Sequence, residues 1–180
     1  MLIPRQIAPE LSVSTVQGET YDLELQAPQH FALVVFYRGL HCPICATYLK
    51  ELERLTPDFL ARGVEPIAIS GDSQERAQKM AEKIGAQHLR IGYELPLDVA
   101  RNWGLYISES RGKTSIGIEE PGLFSEPGVF LIKPDHTVYF VSVQSMPFVR
   151  PSFTEMLQAV DTVLKINYPA RGEYTGPVLP

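Results

Sequence analysis

The sequence predicts an α/β fold with a parallel core, entered through a β-hairpin, and three observations carry that reading. From His30 to Tyr37 runs a continuous segment rich in β-branched and aromatic residues, the pattern of a strand buried on both faces. Val64 to Ser70 forms a second such run. Each is followed by a stretch with helical period, and strand, helix, strand, helix in that order implies a parallel core. The 180 residues make about one domain. With 44% hydrophobic and 21% charged residues the composition is that of an ordinary globular protein. A chain of this length buries about 70% of its unfolded surface without disulfide staples.

Taken in order, Leu11 to Val16 alternates with period two, Gln17-Gly18 breaks the pattern, and Thr20 to Leu23 resumes it, which predicts a hairpin. After the His30–Tyr37 strand the period changes at Pro43: Leu49, Leu52, Leu55 and Phe59 recur every three or four residues until Gly63 closes the helix. Pro57 is expected to kink or divide it. Asp72 or Ser73 can cap a helix running to Ile84, with Gly85 at its end. A short helix is expected from about Asp98 to Trp103. Ile107 to Pro127, with Gly and Ser throughout and no period, reads as a long loop. Gly128 to Lys133, the turn Pro134-Asp135-His136, and Thr137 to Val143 form an antiparallel hairpin. Ser152-Phe-Thr-Glu155 fits a capping box and opens a last helix with Phe153, Met156, Leu157, Val160, Val163 and Leu164 on one stripe. Residues 1–167 thus read as one domain. Residues 168–180, with three prolines and two glycines, read as an extended tail.

The formal charge of −5 and the absence of clustered Lys and Arg argue against nucleic acid or an anionic membrane as partner. The longest apolar run, Phe31 to Tyr37, is far short of the roughly 20 residues a spanning helix needs. Met1 to Gln6 has no charged segment leading into an apolar one, so no signal peptide is expected and the default compartment is the cytoplasm. There a structural disulfide is not expected, because thiols are kept reduced.

Both cysteines of the chain nevertheless fall in one window, Cys42-Pro43-Ile44-Cys45. The thiolate is the nucleophile of thiol chemistry, so a reactive cysteine needs its pKa lowered from about 8.5. Cys42 sits where the buried strand ends and the helix begins, where unpaired N–H groups and the helix dipole favour a thiolate. Pro43 suits the first helical position. Cys45, three residues on, shares the helix face and is within reach for a disulfide. Two plainer readings compete: a pair of small core residues, and half of a metal site in which His41, Cys42 and Cys45 supply three of four ligands. Attachment of a c-type haem is excluded, since Ala46 stands where a His is required. No flavin or nucleotide motif is present.

The order strand, CxxC, helix, strand, helix, then Pro127 opening a hairpin resembles the thioredoxin fold, a central mixed sheet flanked by helices, here with an N-terminal β-hairpin. More of the chain is similar to the peroxiredoxins of the alkyl hydroperoxide reductase/thiol-specific antioxidant family: Val64-Glu-Pro-Ile-Ala-Ile-Ser-Gly-Asp-Ser73, Leu95-Pro-Leu-Asp-Val-Ala-Arg-Asn-Trp-Gly-Leu105 and Gly128-Val-Phe-Leu-Ile-Lys-Pro-Asp135 carry the likeness, over about residues 10 to 165. The chain also departs from that family. Its members carry Pro-x-x-x-Thr/Ser-x-x-Cys, and on that register Arg38 replaces the proline, Cys42 the Thr or Ser, and Cys45 is the attacking cysteine. Where thioredoxins hold a buried acid, this chain has Phe36. The peroxiredoxin-like redoxins with Arg-Gly-x-x-Cys-Pro-x-Cys resemble it most.

The resemblance implies a thiol-dependent antioxidant oxidoreductase that reduces a peroxide or a disulfide through a Cys42/Cys45 dithiol–disulfide cycle. A thioredoxin-type or small-thiol reductant would return it to the dithiol, and a homodimer is expected because such relatives often dimerise. The two templates disagree on the nucleophile: the helix N-terminus favours Cys42 and the family register Cys45, and the physical argument is given the greater weight. Pro127 is expected as a cis-proline facing the cysteines. Arg38 is a candidate to stabilise a thiolate or peroxide oxygen, with Arg150, set between Pro147 and Pro151, a comparable one. His41, when protonated, can lower the pKa of its neighbour, or it can simply cover the pair. The alternative is a non-catalytic module that holds a metal with His41, Cys42 and Cys45.

Overall fold

A computed structural model describes residues 2–178. The alternating N-terminal segment forms β1 (Ser12–Thr15) and β2 (Thr20–Asp22), paired antiparallel with Val13 opposite Tyr21, both buried. The long apolar run forms β3 (Phe31–Phe36), in which every residue is buried. β3 runs parallel to β4 (Val64–Ile69) on one side and antiparallel to β8 (Gly128–Ile132) on the other. β8 continues antiparallel into β9 (Val138–Val143), as the hairpin pattern required. Between β4 and β1 lies β5 (Arg90–Tyr93), parallel to β4 and absent from the sequence reading. Four residues with a glycine among them give no periodic signal. The glycine is nonetheless needed, since a Cβ on Gly92 would stand 2.8 Å from Val13 Cγ2. The result is a mixed seven-stranded sheet, β2-β1-β5-β4-β3-β8-β9.

Alternation along β3 feeds two cores. Phe31, Leu33 and Val35 pack under α1 (Pro43–Ala61), α2 (Gln74–Ile84) and α4 (Phe153–Ile166), while Ala32, Val34 and Phe36 pack on the hairpin side with the short helix α3 (Leu97–Asn102). There Phe36, Trp103 and Phe130 form an aromatic group with centroids 4.9–5.7 Å apart, Phe130 edge-on to both others, each such pair adding about 0.5–1.5 kcal/mol beyond area burial. The expected division of α1 and the expected long loop are corrected. Pro57 lies inside α1 without dividing it; Leu52, Leu55, Thr56 and Phe59, all buried around it, hold the helix against the sheet. The segment 107–127 is not an unstructured loop: β6 (Ile107–Glu109) and β7 (Leu123–Ser125) pair antiparallel as a two-stranded arm, too short for a periodic signal.

Glu53, in the middle of α1, buries its carboxylate and accepts the N–H groups of Gln87, His88 and Leu89 at 2.8–3.2 Å, tying the helix to the approach to β5. Beyond α4, Ala170 O accepts from the Arg5 guanidinium and Tyr168 O from the Tyr139 hydroxyl. Among the described residues no helix is long and apolar enough to cross a membrane.

Candidate active site

Because β3 is hydrogen-bonded on both sides, its C-terminal end, beside that of the parallel β4, is fixed at the centre of the sheet, where α/β folds place their sites. The chain leaves β3 through Tyr37 to His41 and enters α1 with Cys42 as the capping residue. Its backbone is extended (φ −98°, ψ 105°), Pro43 takes the first turn, and Cys42 Sγ accepts the Cys45 N–H at 3.3 Å. Both cysteines are free and buried. No acid stands in the first turn of α1, so the positive end of the helix is left to the sulfur.

These surroundings split the two thiols. The Cys42 thiol is lowered to about 6, foremost because the Cys45 thiol donates to it, then through the Cys45 N–H and the charges of Arg150 and Arg38, all against the opposing effect of burial. The Cys45 thiol is raised well above its usual range, by burial first and by donating to Cys42 second. Arg150 Nη2 stands 3.1 Å from Cys45 Sγ and 3.8 Å from Cys42 Sγ. The charge still settles on Cys42, which alone has both a helix N–H and a second thiol as donors. Arg150 is held by its Nε–H to Pro147 O at 3.0 Å and by the Tyr48 ring, 5.0 Å from the guanidinium carbon. Tyr48 in turn donates to Pro151 O at 2.7 Å.

The other candidates are placed differently. Arg38 turns to the arm: it pairs with Glu120 at 3.2 Å and Glu126 at 3.5 Å and lies 4.7 Å from the Phe124 ring centroid. Two carboxylates thus answer its charge, and Arg150 is the cation at the sulfurs. His41 is buried edge-on against Phe124, with Arg76 Nη2 3.5 Å from its Nδ1. Burial, with Arg38 and Arg76 also lowering it, pushes its pKa down to about 4. A protonated His41 beside the thiol is therefore not the arrangement found at neutral pH. Pro127 is not cis; among the described residues no peptide bond is. Its neighbours are hydrogen-bonded on both sides, Glu126 donating to Tyr106 O at 2.8 Å and Pro127 O accepting from Gln144 at 3.0 Å.

The metal alternative finds no support either. Among the described residues no three His, Cys, Asp or Glu side chains gather as a metal site; the sulfurs face Arg150 while the His41 ring faces Phe124 and Arg76. Glu120, Glu126, Phe124, Asp72 and Arg76 were not read from the sequence as site residues. Beside Arg38 a polar cavity of about 670 Å³ opens between the arm and Met146–Phe148. A cavity of about 730 Å³ lies elsewhere, among Phe31, Lys133 and Tyr168, away from the cysteines.

Residues 4–141 match the profile of the AhpC/TSA family. A curated relative, the 1-Cys peroxiredoxin of Dirofilaria immitis, is 27% identical over 67% of this chain and 56% of its own length. The chain thus spans little more than half of the curated relatives it matches. Among solved structures, peroxidoxin BcpB from Mycobacterium tuberculosis aligns with a TM-score of 0.69 at 16% identity, covering 91% of this chain and 99% of its own. The reduced 2-Cys peroxiredoxin of Plasmodium vivax aligns at 0.73 with 16% identity, covering 99% and 92%. At these identities the structures attest the thioredoxin-like fold.

Proposed function

The chain belongs to the AhpC/TSA family, and on that premise we propose that it is a thiol-dependent peroxidase working through Cys42 and Cys45. The observation that carries the reading is the environment of Cys42 Sγ, which combines a helix N–H, a thiol donor and the Arg150 guanidinium. The Cys42 thiolate attacks one peroxide oxygen; the O–O bond breaks, the leaving oxygen takes a proton to depart as water or alcohol, and Cys42 becomes a sulfenic acid. Cys45 then attacks that sulfur. Its proton goes with the departing hydroxide as water, and the Cys42–Cys45 disulfide forms, two electrons having passed to the peroxide. Two equivalents of an external thiol, or one dithiol of thioredoxin type, return the pair to the dithiol by exchange. Cys45, kept protonated by burial and by its bond to Cys42, suits the resolving role. The two free thiols suit a reducing compartment such as the cytoplasm.

The test is rapid mixing of reduced protein with one equivalent of hydrogen peroxide, followed by mass spectrometry. We expect a reaction orders of magnitude faster than that of a free thiol and a mass loss of two hydrogens at Cys42–Cys45. A free-thiol rate with peroxide, alongside rapid oxidation by a disulfide-bonded protein, would replace peroxidase by thiol–disulfide exchange.

A further inference from the structure

Asp72 has no part in the chemistry above, yet its side chain is fully buried and paired with Arg76. It stands between β4 and Ser73, the cap of α2, and reaches across to the turn that follows β3. There Oδ2 accepts the Leu40 N–H at 2.7 Å, while Oδ1 accepts the Arg76 Nε–H at 2.8 Å. The neighbouring residue is shaped to admit it: Gly39 has φ +137°, and a Cβ there would lie 2.8 Å from Oδ1 and 2.9 Å from Oδ2. Gly39 O then accepts the Cys42 N–H at 3.1 Å, so the turn that Asp72 grips also sets the entry of Cys42 into α1. Arg76 extends the grip, with Nη2 3.2 Å from Glu119 O on the arm and 3.5 Å from His41 Nδ1. A guanidinium can only donate, so Nδ1 accepts and the imidazole proton sits on Nε2.

We propose that Asp72 is a positioning residue for Cys42: through Leu40 and Gly39 it holds the cysteine at the cap of α1, and through Arg76 it fixes His41 and the arm beside it. The inference rests on the reading of Cys42 as the attacking thiol. The groups facing Asp72 are the Leu40 N–H, Arg76, the Ser70 hydroxyl, which accepts the Asp72 N–H at 3.3 Å, and the Tyr37 phenol, just past β3. Those facing Cys42 are Cys45 on α1, Arg150 from the segment before α4, and Arg38 from the turn after β3. A carboxylate that served folding alone would leave the ionisation of Cys42 untouched. One that holds the turn would, when lost, let the sulfur drift from the N–H and thiol that favour its charge.

The experiment follows iodoacetamide alkylation of the reduced full-length protein against pH, with the modified cysteine identified by mass spectrometry. The unsubstituted protein should alkylate at Cys42 with a midpoint near 6. In Asp72→Ala the midpoint should move up, so that the rate at pH 7 falls about tenfold and recovers near pH 9. Asp72→Asn, which keeps an acceptor for Leu40, should restore most of the original profile. If Asp72→Ala does not fold, Gly39→Ala carries the same expectation, because its Cβ displaces the carboxylate from the Leu40 N–H. A folded Asp72→Ala or Gly39→Ala whose profile superimposes on the original, or falls by the same factor at every pH, overturns the proposal. An ordinary thiol midpoint in the unsubstituted protein would sink the peroxidase reading itself, before any variant is compared.

Discussion

At the start of α1 the Cys42 sulfur accepts the Cys45 N–H at 3.3 Å; at the start of α4 the Ser152 hydroxyl accepts the Glu155 N–H, also at 3.3 Å. Both caps are extended residues that satisfy one of the four orphan donors of a helix end. The two ends differ in what answers the remaining field. In α4 the first turn carries Glu155, and the cap is a hydroxyl that stays neutral. In α1 the first turn has no acid, and the cap is a group that can ionise near neutrality. Local geometry is therefore shared, and what sets the α1 cap apart is the Cys45 thiol that donates to it, a first turn without a carboxylate, and Arg150 beside the sulfur.

The strongest way to break this comparison is Cys42→Ser, which turns the α1 cap into the α4 cap. Peroxide reduction should fall by at least about a thousandfold while the fold stays intact, since serine caps as well as any residue; stopped-flow rates and circular dichroism check both halves. Arg150→Met is next. With the guanidinium gone, the pH–rate midpoint should move up from about 6 towards about 7, lowering the rate at pH 6 several-fold and converging with the parent above pH 8.

A third prediction reads the thiolate as stability. The folded-state pKa of Cys42 lies below its unfolded value, so its contribution is present at high pH and is lost as pH falls through the value near 6. Cys45, whose pKa is raised, opposes this only above the usual thiol range. The urea midpoint of reduced protein should thus be higher at pH 8 than at pH 6, and Cys42→Ser should lose most of that difference, leaving the smaller part due to His41, whose lowered pKa acts in the same direction. The smallest effect is Ser152→Ala at the other helix, expected to remove about 1 kcal/mol of stability, or about 2–4 °C in Tm for a chain of this size.

What could be read from the sequence follows from range. Strand β3, the caps Cys42, Ser73 and Ser152, and the helical stripe of α4 are set by neighbours within a few residues, and they were legible. β5 and the β6–β7 arm are three or four residues each, too short to show a period, and exist because the sheet and the site supply partners. Arg150 was readable as a candidate but not as the guanidinium on the sulfurs, since its contact spans more than 100 residues of chain. Arg38 is a candidate from the sequence because its guanidinium is always charged; its pairing with Glu120 and Glu126, distant in sequence, could not be read from spacing. Asp72 looked only like a helix cap, and its grip on Leu40 could not be read from spacing.

The Glu53 clamp bears on the proposed oxidation of Cys42 and Cys45. With three successive backbone N–H groups gripping a carboxylate at mid-helix, α1 is moored to the body of the protein well behind its first turn. In the proposed cycle any shift of Cys42 would load the Gly39–His41 turn ahead of α1, the same turn whose Leu40 N–H the buried Asp72 carboxylate holds.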